Sequence, residues 1–174
     1  MMFRFASALM LAALATACDS TPQAAPFSGA TDGFQPLTKG SDLGGWQLPA
    51  GADGAHWSMR EGSLTCEAPA AALWIVREFG DCVLSLDARA LEGRPTLVLH
   101  ARGPGGFEVA FDPKPDSKWS RVRVRLKGED IDIEIDGEPS QGTLPYVRAK
   151  GAVGLSTEGS GRIEIANLSV LEQR

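Results

Sequence analysis

The chain has 174 residues, 43% of them hydrophobic and 22% charged, enough for one domain with a sizeable core and too apolar for disorder throughout. Its 20 Gly and 11 Pro interrupt the sequence every few residues, which excludes an all-helical bundle and suits many short strands joined by turns. The net charge of −5 supplies no cluster of Lys and Arg, so nucleic acid is not an expected partner.

At the N-terminus, Arg4 precedes the apolar run Ala6 to Leu14 and the small residues Ala15, Thr16 and Ala17. This is the pattern of a cleaved export signal over residues 1–17. The apolar run is about half of the roughly 20 residues that span a bilayer, so it is too short for a permanent anchor. Ala15-Thr16-Ala17-Cys18 resembles the lipobox of bacterial lipoproteins, which implies that Cys18 is acylated and holds the protein to a lipid bilayer of the cell envelope, facing the periplasm. Two or three acyl chains anchor stably where one does not. Asp19 resembles an inner-membrane retention signal of some Gram-negative bacteria, and the choice of membrane stays open. Residues 18–32 comprise this Cys and a tether of Ser, Thr, Pro, Gln, Ala and Gly, and the folded domain is expected over 33–174.

Within the domain, apolar residues recur with period two, each run ending at Gly, Pro, Asp or Ser. About eleven strands are expected, near Phe34–Leu37, His56–Arg60, Ser63–Glu67, Leu73–Arg77, Asp81–Ala90, Thr96–Arg102, Phe107–Asp112, Trp119–Lys127, Asp130–Asp136, Ala152–Thr157 and Arg162–Leu171. Short strands without helices predict an all-β fold of two packed antiparallel sheets, a sandwich or jelly roll. The pair Gly128-Glu129 suits a type II′ turn, which sets Lys127 opposite Asp130, Arg125 opposite Asp132, Arg123 opposite Glu134 and Arg121 opposite Asp136. Val122, Val124, Leu126, Ile131, Ile133 and Ile135 then share the core side. The four carboxylates are spread along one strand, each facing a cation, and do not converge on a metal.

Residues able to carry chemistry gather on the hairpin from Thr96 to Asp112. With Gly103 facing Phe107, Arg102 lies opposite Glu108, and His100 lies beside Ala110, diagonal to Glu108 and Asp112. Leu97, Leu99, Val109 and Phe111 point the other way. Glu108 and His100 are the candidate acid or base, with Arg102 and Asp112 as candidate substrate contacts. Asp87 and Arg89 share an outward parity and are further candidates, as is Trp74, whose parity is opposite to that of Leu73 and Ile75. No Walker loop, HExxH or CxxC is present, and no metal or other cofactor is expected. Cys66 and Cys82 both have core parity, so a disulfide between them is a possibility in an exported protein.

Several fragments fall in a familiar order: Phe34, Leu37, Gly40, Leu43, Gly45-Trp46, Trp57, Gly62 and Leu64, then Phe107-Glu108-Val109, Trp119, Ile135-Asp136-Gly137, Gly151 to Leu155 and Ile163 to Leu168. This order resembles the 3-keto-disaccharide hydrolase domain family, concanavalin A-like jelly rolls of secreted bacterial proteins. The resemblance implies packing roles for Trp46, Trp57 and Trp119 and places Glu108 on the family's functional strand. The departures bear on activity. Arg94-Pro95-Thr96 replaces an Asn-Ser-Gly run, Ser120 replaces an Asn, and the long loop before Trp119 is cut to residues 113–118. Three readings follow: a glycan-binding lipoprotein with reduced or no catalysis, a hydrolase of 3-keto-glycosides, or a structural lipoprotein that binds another protein.

Overall fold

The computed structural model describes residues 33–38, 41–60, 62–104, 106–114, 118–141 and 149–173. The export signal, Cys18 and the tether lie outside them. The described residues form ten antiparallel strands and no helix: β1 (Gln35–Pro36), β2 (Trp46–Gln47), β3 (Trp57–Arg60), β4 (Ser63–Phe79), β5 (Cys82–Ala101), β6 (Phe107–Phe111), β7 (Ser120–Lys127), β8 (Asp130–Ile135), β9 (Glu138–Ser140) and β10 (Gly151–Glu172).

Three strands are far longer than their sequence pattern predicts. The expected pairs Ser63–Glu67 with Leu73–Arg77, Asp81–Ala90 with Thr96–Arg102, and Ala152–Thr157 with Arg162–Leu171 each run together as β4, β5 and β10. Gly and Pro at these joints bend the strands without ending them. Gly93, Gly159 and Gly161 have φ of 70°, 76° and 124°, values that suit glycine. They also bring β5 and β10 into close approach, since a Cβ on Gly93 would lie 2.5 Å from the Ser160 carbonyl oxygen. The long strands therefore serve two layers. In layer I, β9-β8-β7 continue into the first half of β5, the second half of β10 and the start of β4, edged by β1 and β3. In layer II, β6 is followed by the second half of β5, the first half of β10, the end of β4 and β2.

The core parity of β5 switches at the bend. Leu84, Leu86 and Ala88 point inward from layer I, and Leu97, Leu99 and Ala101 from layer II, all at most 1% exposed. They join one core with Val122, Val124 and Leu126 of β7, Val109 of β6, and Leu155, Ile163, Ile165 and Leu168 of β10. Trp46 and Trp57 belong to this core, and the Trp57 indole N–H donates to the Ala71 carbonyl at 3.0 Å. Trp119 is half-buried, with the Arg89 guanidinium 4.5 Å above its ring.

The β7–β8 hairpin has the expected register from Lys127↔Asp130 to Arg123↔Glu134. Gly128 carries the positive φ, 56°, that a II′ turn requires at its first central residue. The charge ladder differs at its far end. Arg125 bonds Asp132 at 2.8 Å, but the Arg121 guanidinium turns to Asp87, and Asp136 takes Lys114 at 2.9 Å.

The possible disulfide is not formed. Cys66 and Cys82 are both free and fully buried. Cys66 pairs with Ile163, which lies opposite Ala90 of β5, so Cys82 stands eight residues further back along that strand. At ~3.3 Å per residue this is about 26 Å, far beyond the ~7 Å between Cα atoms that a bridge tolerates. Shared core parity put both thiols inside but at opposite ends. Burial pushes each thiol up to about 11, so both behave as small apolar side chains.

Candidate functional site on the outer face of layer II

One row of cross-strand partners crosses all five strands of layer II: Gln47, Trp74, Gly154, His100 and Glu108. Their neighbours Trp46, Leu73, Ile75, Val153, Leu155, Leu99, Ala101, Phe107 and Val109 are in the core. Alternation therefore turns Gln47, Trp74, His100 and Glu108 outward. The glycine in the row has a steric reason. A Cβ on Gly154 would meet Cε3, Cδ2 and Cζ3 of Trp74 at 2.6, 2.8 and 2.9 Å. The indole thus rests on the bare backbone of Gly154 and reaches His100, with ring centroids 5.3 Å apart and planes tilted by 41°. Trp74 is half-buried.

His100 is held at both nitrogens. Nδ1 lies 3.1 Å from Glu108 Oε1, and Nε2 lies 2.7 Å from Ser156 Oγ, on the next outward position of β10. Burial pushes the imidazole below its ordinary value, outweighing the charge and hydrogen bond of Glu108 and the charge of Glu158. A neutral ring has one N–H, and an ionised carboxylate can only accept, so Nδ1–H donates to Glu108 and Nε2 accepts from the Ser156 hydroxyl. At the far end of the same face, Thr96 donates to Asp112 at 2.6 Å, opposite Glu158 of β10. Glu108 on β6 and Asp112 just past its end are four residues apart, about 13 Å at ~3.3 Å per residue, too far for the acid pair of a glycosidase.

The expected register of this hairpin is corrected. His100, not Arg102, lies opposite Glu108, and Ala101 lies opposite Phe107. Arg102 has φ 66° and Gly103 φ 87°, so the chain leaves the strand after Ala101, and the Gly103 amide bonds Ala152 at 2.8 Å. Arg102 is 1% exposed, with Nη2 3.6 Å from Asp81, and is not on the outer face. The slip is two residues, which preserves parity. His100, Glu108 and Asp112 therefore keep the common face expected of them, and Trp74 joins them.

Asp87 and Arg89 occupy the outer face of layer I instead. Asp87 is fully buried and accepts from Arg121 Nε and Nη2 at 2.8 and 3.0 Å and from Asn167 Nδ2 at 2.7 Å. Arg89 bonds Glu164 at 2.8 Å and covers Trp119. The same face carries an open groove of about 650 Å³ lined in part by Phe34, Val83, Leu171, Arg123 and Glu134. Ser156 and Gln47 are additions that the sequence did not single out. Ser156 has readable outward parity between Leu155 and Thr157, but only the strand order sets it beside His100.

No protein-family model and no curated protein matches the sequence. Solved structures do match in shape. A Parabacteroides distasonis protein provisionally named a glycosyl hydrolase superposes with TM-score 0.67 at 14% identity, covering 82% of this chain and 94% of that one. Carbohydrate-binding module CBM66 of Bacillus subtilis gives TM-score 0.54 at 10% identity, covering 74% and 96%. A Bacillus licheniformis β-glucanase gives 0.52 at 10% identity, covering 86% and 96%. At these identities the likeness is one of fold, and the chain is an antiparallel jelly roll of the glucanase and galectin-like kind.

Proposed function

We propose that this domain is a carbohydrate-binding jelly roll carried on a bacterial envelope lipoprotein, with the glycan lying along the outer face of layer II. The observation that carries the reading is the half-buried Trp74 indole, seated on Gly154 in one row with Gln47, His100 and Glu108. A sugar ring stacks its C–H face on an indole, and amide, imidazole and carboxylate groups beside it can bond the hydroxyls. The names of the structural neighbours, a glycosyl hydrolase and a carbohydrate-binding module, support the same ligand class. The finer assignment is a short member of the 3-keto-disaccharide hydrolase family with reduced catalysis. It rests on the resemblance and on Glu108, which lacks a second carboxylate on its own strand at glycosidase spacing. The lipobox supports an acylated Cys18, and residues 19–32 would hold the jelly roll off the bilayer.

Titration of the purified domain with an oligosaccharide panel, read by calorimetry, tests this. Trp74→Ala should weaken binding by about 2 kcal/mol, roughly 30-fold, while Trp119→Phe on layer I leaves it unchanged. Equal affinity for wild type and Trp74→Ala overturns the site. Robust 3-keto-glycoside cleavage that vanishes in Glu108→Gln would replace the binding reading with the hydrolase.

A further inference from the structure

Ser156, His100 and Glu108 form a continuous hydrogen-bonded array across three strands: Oγ to Nε2 at 2.7 Å and Nδ1 to Oε1 at 3.1 Å. β10, β5 and β6 are adjacent, so the array is fixed by sheet register and not by a loop. Both outer members reach solvent, since Ser156 is half-buried and the Glu108 side chain is 47% exposed, while the His100 side chain between them is only 13% exposed. Trp74 packs against the imidazole ring. A hydroxyl bonded to an imidazole whose other nitrogen is fixed by a carboxylate is the arrangement that activates serine in acyl transfer.

We propose that Ser156 is a nucleophile, with His100 as its general base and Glu108 as the residue that positions the base, and that the centre hydrolyses acyl esters. That the ester sits on a glycan rests on the reading above; the nucleophile does not. Ser156 Oγ bonds to the acyl carbon as its proton passes to His100 Nε2. The carbon–oxygen bond to the leaving alcohol breaks, and that oxygen takes the proton from Nε2. Water then gives a proton to Nε2 and bonds to the acyl carbon, and Ser156 leaves, recovering its proton. The sum is ester plus water to alcohol plus carboxylic acid. The depressed basicity of His100 keeps the ring unprotonated and able to accept at neutral pH. β10 lies between β4 and β5, so the amides around Ser156 point along the sheet toward other strands and not at a substrate above it. With no amide of these strands aimed at the carbonyl oxygen, esters with good leaving groups react best, and the acyl-serine accumulates.

The test uses 4-nitrophenyl acetate and a fluorophosphonate probe on the purified protein. A burst of one equivalent of nitrophenol is expected, with the fluorophosphonate mass on the peptide that contains Ser156. Ser156→Ala should remove both at an unchanged melting temperature. His100→Gln should slow the burst roughly 100-fold. Glu108→Gln should slow it less and move the inflection of its pH profile to lower pH, because the carboxylate raises the basicity of His100, and Glu108→Asp should restore part of the rate. No label on Ser156, or a burst unaltered in Ser156→Ala, overturns the proposal. Glycan titration of the wild-type protein separates the two readings. Binding without wild-type labelling defeats the nucleophile, whereas labelling without binding supports it and defeats the glycan.

Discussion

Gly161→Ala should destabilise the domain by about 4 kcal/mol or more, the largest effect of any single methyl added at the bend. Gly161 has φ 124°, and a Cβ there would lie 2.0 Å from the Glu92 carbonyl oxygen and 2.8 Å from Gly93 Cα. The obstacle is backbone of the neighbouring strand, which cannot swing aside as a side chain does. Moving it would open the seam where β5 and β10 pass together from one layer to the other. Gly51→Ala is the control. Gly51 has φ 81° with nothing within 4 Å, so only the left-handed conformation is penalised, at about 1–2 kcal/mol. Urea unfolding of both variants separates the two causes. A Gly161→Ala protein as stable as Gly51→Ala would show that the strands do not cross so closely.

Asp87→Ala is expected to cost about 3 kcal/mol, near 10 °C in melting temperature for a domain of this size. The carboxylate is fully buried and accepts three hydrogen bonds, two from Arg121 on β7 and one from Asn167 on β10. Truncation deprives the half-buried guanidinium of its bidentate partner. It also frees the Asn167 side chain, at a bulge where φ is 53°. Asp87→Asn keeps the shape and part of the bonding and should recover part of the loss. Thermal unfolding followed by circular dichroism reads the series, and a change within ±0.5 kcal/mol for Asp87→Ala would mean that the pair contributes nothing net.

What the sequence disclosed depended on how local the determinant was. The β7–β8 register was readable because Gly128-Glu129 alone sets the pairing of the residues that flank it. The β5–β6 register was misread by two residues because it turns on the left-handed φ of Arg102, a residue type that rarely signals it. Gly93, Gly159 and Gly161 read as strand ends, since a glycine that breaks a strand and one that lets two strands touch look alike in one dimension. Parity survived both errors. It turned His100, Glu108 and Asp112 to one face, because a slip of two residues returns each side chain to the same side, while for Trp74 it gave only a parity opposite to Leu73 and Ile75. Pairing order did not follow from the sequence. It separates Asp87 and Arg89 from His100, parts Cys66 from Cys82, and sets Ser156 against the imidazole.

The most direct test of the ligand face is an amide and indole chemical-shift map of the ¹⁵N-labelled domain during titration with the glycan that calorimetry identifies. The Trp74 indole N–H and the amides of Gln47, Gly154, Ser156, His100 and Glu108 should move together and saturate, while Phe34, Val83 and Arg123 at the layer I groove stay in place. Shifts confined to the groove residues, with the Trp74 indole unmoved at saturation, would contradict the account.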